Sequence, residues 1–189
     1  MSDKPSYLGL LNAIALGESR AHCYLSAWIE VTPSDDVRRV LATVAAREGE
    51  HGMAFAKRLN ELGYNVLERD DPKSEVNLAV ARSDRTDLEK MELLGLGRLD
   101  TGDRPDIFDG FFKDHSIDVR TGELLGRYIA EERDSARLLR SCYAQLKAAA
   151  SPATTADHVS GLEDKVDALC RAVEELRQIV CAQSMAPTA

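Results

Sequence analysis

Apolar residues recur every three or four positions in three long stretches of the chain, a spacing typical of amphipathic α-helices. The first stretch runs from Leu8 to Val31, the second from about 37 to 62, and the third from about 117 to 149. Because each stretch is far longer than an average helix, the pattern predicts three long helices that bury one face against each other.

Short polar segments separate these stretches. The segment "TPSDD" (32–36) predicts a turn followed by a helix start, with Ser34 or Asp35 as the N-cap, and Gly63 is typical of the residue just past a helix end. The segment "ERDDP" (68–72) predicts a connection. Gly122 and Gly126 lie inside the last stretch and indicate either close helix approach or room for a bound group.

The middle section, residues 74–115, has a weaker pattern. A helix is predicted over "DLEKMELLGLGRL" (87–99), a break over "DTGDRP" (100–105), and a short helix over "DIFDGFF" (106–112). Helices of about 25–30 residues, at about 1.5 Å per residue, suit an up-down arrangement. The predicted fold is therefore all-α: an up-down four-helix bundle whose third helix is interrupted.

The end of the chain has a different pattern. After a linker of small residues, valine and leucine alternate at spacings of three and four, filling the a and d positions of heptads: Val159, Leu162, Val166, Leu169, Val173, Leu176 and Val180. Valine at a with leucine at d favours a parallel two-stranded coiled coil, although such a helix can also pack back onto its own bundle. The predicted organisation is a bundle over 1–150, a linker over 151–158, a coiled-coil helix over 159–183 and a disordered tail over 184–189, in a homodimer formed through bundle and coiled coil.

Composition narrows the class of protein. The chain has 189 residues, of which 44% are hydrophobic and 30% charged, with a net charge of −8. This acidic balance argues against general nucleic-acid binding and against an anionic membrane surface. The apolar run "LGLLNAIALG" is about half of the ~20 residues needed to span a bilayer, and no secretory signal is evident. We therefore expect a cytoplasmic protein. Its cysteines form no C-x-x-C pair, which argues against a structural zinc site.

Acidic residues interrupt the apolar face of each long helix. Glu18 stands among apolar neighbours in the first, Glu48 and His51 share a face in the second, and Glu132 stands among apolar neighbours in the third. Burying an ionised carboxylate without a partner costs several kcal/mol. A bound cation, protons or buried arginines must therefore neutralise them, and carboxylates with an imidazole can hold a pair of divalent metal ions.

These residues resemble a known pattern. "GESRA" with an aromatic residue after it, and Glu-x-x-His about thirty residues later, are similar to the first two helices of rubrerythrin-type members of the ferritin-like superfamily. "IAEERDSARLL" (129–139) resembles the fourth-helix motif, so the resemblance covers about residues 6–148. It implies a ferritin-like four-helix bundle in which Glu18, Glu48, His51 and Glu132 bind iron, as a di-iron site or a single metal.

The chain departs from the family pattern in its second half. The histidine expected three residues after the fourth-helix glutamate is Ser135 here. The third-helix glutamate has four candidate counterparts, which are Glu89, Glu92, Asp100 and Asp103. The centre could accordingly hold one metal ion, an asymmetric pair or none.

Two functions follow from the resemblance. The first is a non-haem di-iron or single-metal carboxylate protein that acts on peroxide, oxygen or ferrous iron and takes electrons from a separate donor. The alternative is a metal-free, degenerate ferritin-like bundle that serves as a dimeric binding or scaffold module.

Overall fold

The computed structural model describes residues 5–98, 110 and 113–151, and in these residues every regular element is helical, which confirms the all-α prediction. One compact unit spans Met1–Ala148. The helices are α1 (Leu8–Val31), α2 (Asp35–Glu61), α3 (Pro72–Arg82), α4 (Asp87–Leu93), followed by a 3₁₀ turn at Leu96–Arg98, and α5 (Val119–Ala150). Across the described part of the chain, none of these helices combines the length and apolar character needed to cross a bilayer.

The three long predicted helices are α1, α2 and α5, with ends close to those the pattern indicates. The Ser34 hydroxyl accepts the backbone N–H of Val37 over 3.3 Å, and so caps the start of α2. Gly63 follows the end of α2 with a φ of +84°, a left-handed conformation that glycine adopts without strain. The predictions for both ends of this helix are confirmed.

The middle section differs from the prediction in two ways. Helix α3 begins at Pro72, directly after Asp71, whose side chain accepts the N–H of Lys73. The sequence pattern missed this helix because α3 buries only Ala81, so it has almost no apolar periodicity. The helix predicted over 87–99 ends at Leu93, because Gly95 turns the chain with a φ of +73°.

Several predictions fall beyond the described residues. These are the break at 100–105, nearly all of the short helix at 106–112, the linker from 152 on, the coiled-coil helix at 159–183 and the tail at 184–189. They stay predictions.

Two apolar clusters fill the interior. One surrounds Trp28 and includes Leu41 of α2 and Leu139 of α5, with Ala81 and Met91 from the middle helices. The other surrounds Phe55, with contributions from all three long helices: Leu11, Ile14, Leu59, Leu125 and Ile129. On each long helix, the candidate acidic residue lies in sequence between the residues of one cluster and those of the other: Glu18 on α1, Glu48 on α2 and Glu132 on α5. The long helices therefore carry a polar layer between two apolar ones.

Helices α1 and α2 approach each other most closely beside this layer. A Cβ atom placed on Gly52 would lie 2.6 Å from Oγ of Ser19, and one on Gly49 would lie 3.0 Å from Nδ1 of His22. In contrast, among the described residues Gly126 has nothing within 4 Å of such an atom, and Gly122 has only an ordinary contact at 3.9 Å. With respect to these residues, the two glycines do not mark a close helix approach.

Candidate metal centre

Three helices bring one donor atom each to a common point in the polar layer. Glu18 comes from α1, His51 from α2 and Glu132 from α5, and their donor atoms lie within 4.8 Å of one another. Glu18 is 8% exposed and His51 3% exposed, while Glu132 is half-buried. Three of the four predicted ligands are thus adjacent although they come from three helices that are far apart in the sequence.

The facing atoms of this cluster have no hydrogen-bond partner. Oε2 of Glu18, Nδ1 of His51 and Oε1 of Glu132 are buried and unpaired among the described residues. Nδ1 lies 3.7 Å from the Glu18 oxygen and 3.4 Å from the Glu132 oxygen, too far for well-formed hydrogen bonds. A buried polar atom left without a partner costs about 1–3 kcal/mol. The cluster is therefore a place where a bound cation would stabilise the fold.

The spacing of these atoms is compatible with a metal ion after a small adjustment. Neighbouring ligands in a tetrahedral site are about 3.4 Å apart when each bond is about 2.1 Å long. Nδ1 of His51 lies 3.7 Å from the Glu18 oxygen and 3.4 Å from the Glu132 oxygen, and all three donors lie within 4.8 Å of one another.

The outer nitrogen of His51 is held by an acidic residue that sequence reasoning missed. Nε2 of His51 lies 2.7 Å from Oε2 of Glu131, and the other oxygen of Glu131 accepts Nε–H of Arg127 over 3.0 Å. When Nε2 carries the proton, the lone pair of Nδ1 faces the cluster, the usual arrangement for a metal-binding histidine. In the sequence, the contact of Glu131 with His51 is indicated only by the position of Glu131 next to the candidate ligand Glu132.

Tyr128 orients the carboxylate of Glu18. Its hydroxyl donates to Oε1 of Glu18 over 3.0 Å, so Oε2 is the oxygen that remains for the cluster. Burial and the charge of Glu18 raise the pKa of Tyr128, which keeps the hydroxyl protonated as a donor. The Tyr128 ring also packs edge-on against His51, with centroids 5.0 Å apart, and against Phe55.

Glu48, the fourth predicted ligand, lies in the same layer but contributes none of the three converging atoms. Burial raises the pKa of Glu48, and interaction with Glu18 and the charge of Glu132 raise it further. Burial also acts to raise the pKa of Glu18, but interactions with His51 and Glu48 and the hydrogen bond from Tyr128 outweigh it and lower that pKa. Of these two neighbouring carboxyl groups, Glu48 therefore holds a proton more firmly.

Protons offer a second way to neutralise the cluster. Burial lowers the pKa of His51, but the carboxylates of Glu132, Glu18 and Glu131 outweigh it and raise this pKa to about 10. A protonated His51 would compensate part of the negative charge around it when metal is absent.

Arginines do not neutralise the converging atoms. Arg47 bonds to Ser135 and Asp134, and Arg127 bonds to Glu131 and Glu50. The three facing atoms are without partners within the described ranges. Of the three means of compensation that the sequence suggested, a cation and protons are the two that the geometry supports.

The third-helix candidates are engaged elsewhere or lie outside the described residues. Glu89 accepts the N–H of Thr86 over 2.9 Å and completes the cap of α4, while Glu92 accepts the hydroxyl of Tyr143 over 3.2 Å. Neither belongs to the cluster. Which residue is the counterpart of the third-helix glutamate therefore stays open. Asp100 and Asp103 fall in the part of the chain that is not described.

Comparisons with models of protein families, with curated proteins and with solved structures gave no match to this chain. The resemblance to the ferritin-like superfamily is carried by the motif residues of α1, α2 and α5 alone.

Proposed function

We propose that this protein is a ferritin-like carboxylate protein that binds a divalent transition metal, with iron as the expected ion, through Glu18, His51 and Glu132. One observation carries the proposal: side chains from three helices aim buried, unpartnered donor atoms at one point. Glu48 is a nearby carboxylate that can join the ligand set when it loses its proton.

The donor set decides which ions are suitable. Two or three carboxylates with one imidazole suit Fe²⁺, Mn²⁺ and Zn²⁺ better than soft ions such as Cu(I), which prefer sulfur. Iron in such a centre supplies redox chemistry toward peroxide or oxygen, or handling of ferrous iron. The contribution of the chain is to fix the donors, through Tyr128 and Glu131, and to surround them with apolar clusters. The proposal also includes that the protein forms a homodimer and that a separate donor supplies its electrons.

The alternative function is a metal-free bundle that serves as a dimeric binding or scaffold module. The raised pKa of His51 favours it, because a protonated imidazole bound to surrounding carboxylates would stabilise the polar layer without an ion. The two functions therefore differ in whether the cluster retains metal in solution.

Metal loading separates the two functions. The apoprotein would be incubated with Fe²⁺ under anaerobic conditions, passed through a desalting column and analysed for iron by mass spectrometry. We expect the wild-type protein and the control variant His115→Ala to retain iron, since His115 is exposed and lies outside the cluster. His51→Ala should lose it, with helicity monitored by circular dichroism. Wild-type protein that retains no iron would overturn the proposal in favour of the metal-free bundle.

A further inference from the structure

Arg47 links α2 to α5 beside the polar layer, through contacts with Ser135 and Asp134. This residue precedes Glu48 on α2 and reaches across to α5, where Nη1 donates to Oγ of Ser135 over 3.2 Å. Its Nη2 lies 2.9 Å from Oδ2 of Asp134. Ser135 is only 1% exposed, so the guanidinium is fixed against a buried hydroxyl as well as an acidic residue.

Ser135 occupies a position that matters for a second metal ion. It lies three residues after Glu132 and therefore on the same face of α5. A hydroxyl is a far weaker ligand for a divalent transition metal than an imidazole, and here its oxygen accepts a hydrogen bond from Arg47. Within the described residues, the Glu18, His51 and Glu132 group is the single cluster of metal-binding side chains.

The positive charge of Arg47 also disfavours a second metal ion. Arg47 carries a permanent positive charge, and its guanidinium bonds to Ser135 on the face of α5 that carries Glu132. A second divalent ion at this place would be repelled by the guanidinium, whose side chain is partly buried, so that screening is weak.

We propose that the centre holds one divalent metal ion per chain, and that Arg47, anchored by Ser135 and Asp134, stands in for the second cation of a two-metal centre. This inference rests on the proposed function, because it concerns the number of ions in the same site.

Mn²⁺ is a suitable probe, since a lone ion gives a six-line paramagnetic resonance spectrum and a close pair gives a coupled one. Equilibrium dialysis would measure the number of ions bound per chain. The variant Arg47→Ala/Ser135→His removes the guanidinium and supplies an imidazole three residues after Glu132. Arg39→Ala is the matched control, because Arg39 lies on the same helix but is exposed and paired with Asp36.

The proposal expects one Mn²⁺ per chain with an uncoupled spectrum in the wild-type protein and in Arg39→Ala. The double variant should bind a second ion and give a coupled spectrum. Two ions in the wild-type protein would overturn this inference and leave the proposed function intact, whereas no bound ion would overturn both. One ion in a folded double variant would show that Arg47 and Ser135 do not set the number.

Discussion

His51 and Glu131 are joined by a short contact of 2.7 Å between Nε2 and Oε2, on the side of the imidazole that faces away from the metal-binding cluster. Glu131 is itself held by Arg127, so the ring has a fixed orientation and Nδ1 faces Glu18 and Glu132. This relationship makes Glu131 a positioning residue for His51, through which it would act on a bound metal ion.

Replacing Glu131 with glutamine tests that role. The amide would pair less strongly with Nε2–H and would no longer fix the ring through a charge, so metal affinity should fall by about 10- to 100-fold. Competition titration of Zn²⁺ against a chromogenic chelator would measure the change. Glu123→Gln is the control, because Glu123 lies on the same helix but outside the cluster. Equal affinity in wild-type protein and Glu131→Gln would contradict the positioning role.

Tyr128→Phe should destabilise the metal-free protein. The variant keeps the ring contacts with His51 and Phe55 but removes the hydroxyl that donates to Oε1 of Glu18. A buried carboxylate oxygen would lose its partner, which costs about 1–3 kcal/mol in the free energy of unfolding. Urea denaturation would measure it.

The control for that measurement is Tyr143→Phe. The Tyr143 hydroxyl bonds to Glu92 in an exposed position, where water can replace the lost partner. We expect its free energy of unfolding to change by less than about 0.5 kcal/mol. If both variants lost equal stability, the Tyr128 bond would have no special role.

The centre was only partly predictable from the sequence. Glu18 and Glu132 were recognisable because each places a charge on an apolar helical stripe. Glu131 was not, because adjacent helical residues point about 100° apart, and only the contact in the structure shows that it reaches His51. The contact between Arg47 and Ser135 depends on how far α2 lies from α5 and on a long side chain's rotamer, neither of which periodicity reports.

The fold was predictable to a similar degree. Long amphipathic stretches identified α1, α2 and α5, because each buries a continuous face. Helix α3 was not predicted, for two reasons. It starts with an aspartate cap and a proline, and in "ERDDP" the same residues are also typical of a turn. It then buries a single alanine. Start signals without apolar periodicity did not distinguish a helix from a loop.

Gly52→Ala should weaken both the fold and the metal centre. Its Cβ would lie 2.6 Å from Oγ of Ser19 and 3.1 Å from the Ser19 backbone nitrogen, so α1 and α2 would have to separate next to His51. Overpacking of this kind costs about 1–3 kcal/mol. Thermal unfolding and Zn²⁺ titration would measure the two effects.

Gly126→Ala is the matched control for that variant. Gly126 lies in α5, where an added Cβ atom would have none of the described residues within 4 Å, so alanine should increase the free energy of unfolding by up to about 1 kcal/mol. A lower free energy of unfolding in Gly52→Ala together with a higher one in Gly126→Ala would establish the close contact between α1 and α2. A neutral Gly52→Ala would show that the helices separate without cost.

A second polar network, remote from the metal centre, makes stability depend on pH. Burial raises the pKa of Asp118, but hydrogen bonds from Thr121, Tyr7 and Arg58 outweigh it and hold this pKa well below its usual range. Arg58, which is 8% exposed, donates Nη2–H to Asp118 over 2.8 Å and Nε–H to Thr121. The ionised carboxylate therefore links the start of α5 to α2.

The sign of the pH effect follows from the lowered pKa. Stability from Asp118 is fully present above the pKa of the unfolded chain, about 3.9, and is lost as pH falls from there toward the folded value. Asp118→Asn should lower the free energy of unfolding near neutral pH by on the order of 1 kcal/mol, since the aspartate is partly exposed and solvent screens it. It should also reduce the loss of stability between about pH 5 and pH 2. Urea denaturation across that range would measure both. The control is Asp36→Asn, at an exposed ion pair in the first turn of α2, which should leave the dependence of the free energy of unfolding on pH nearly unchanged. If Asp118→Asn lost stability toward low pH as steeply as the wild-type protein, other carboxylates would cause the acid sensitivity.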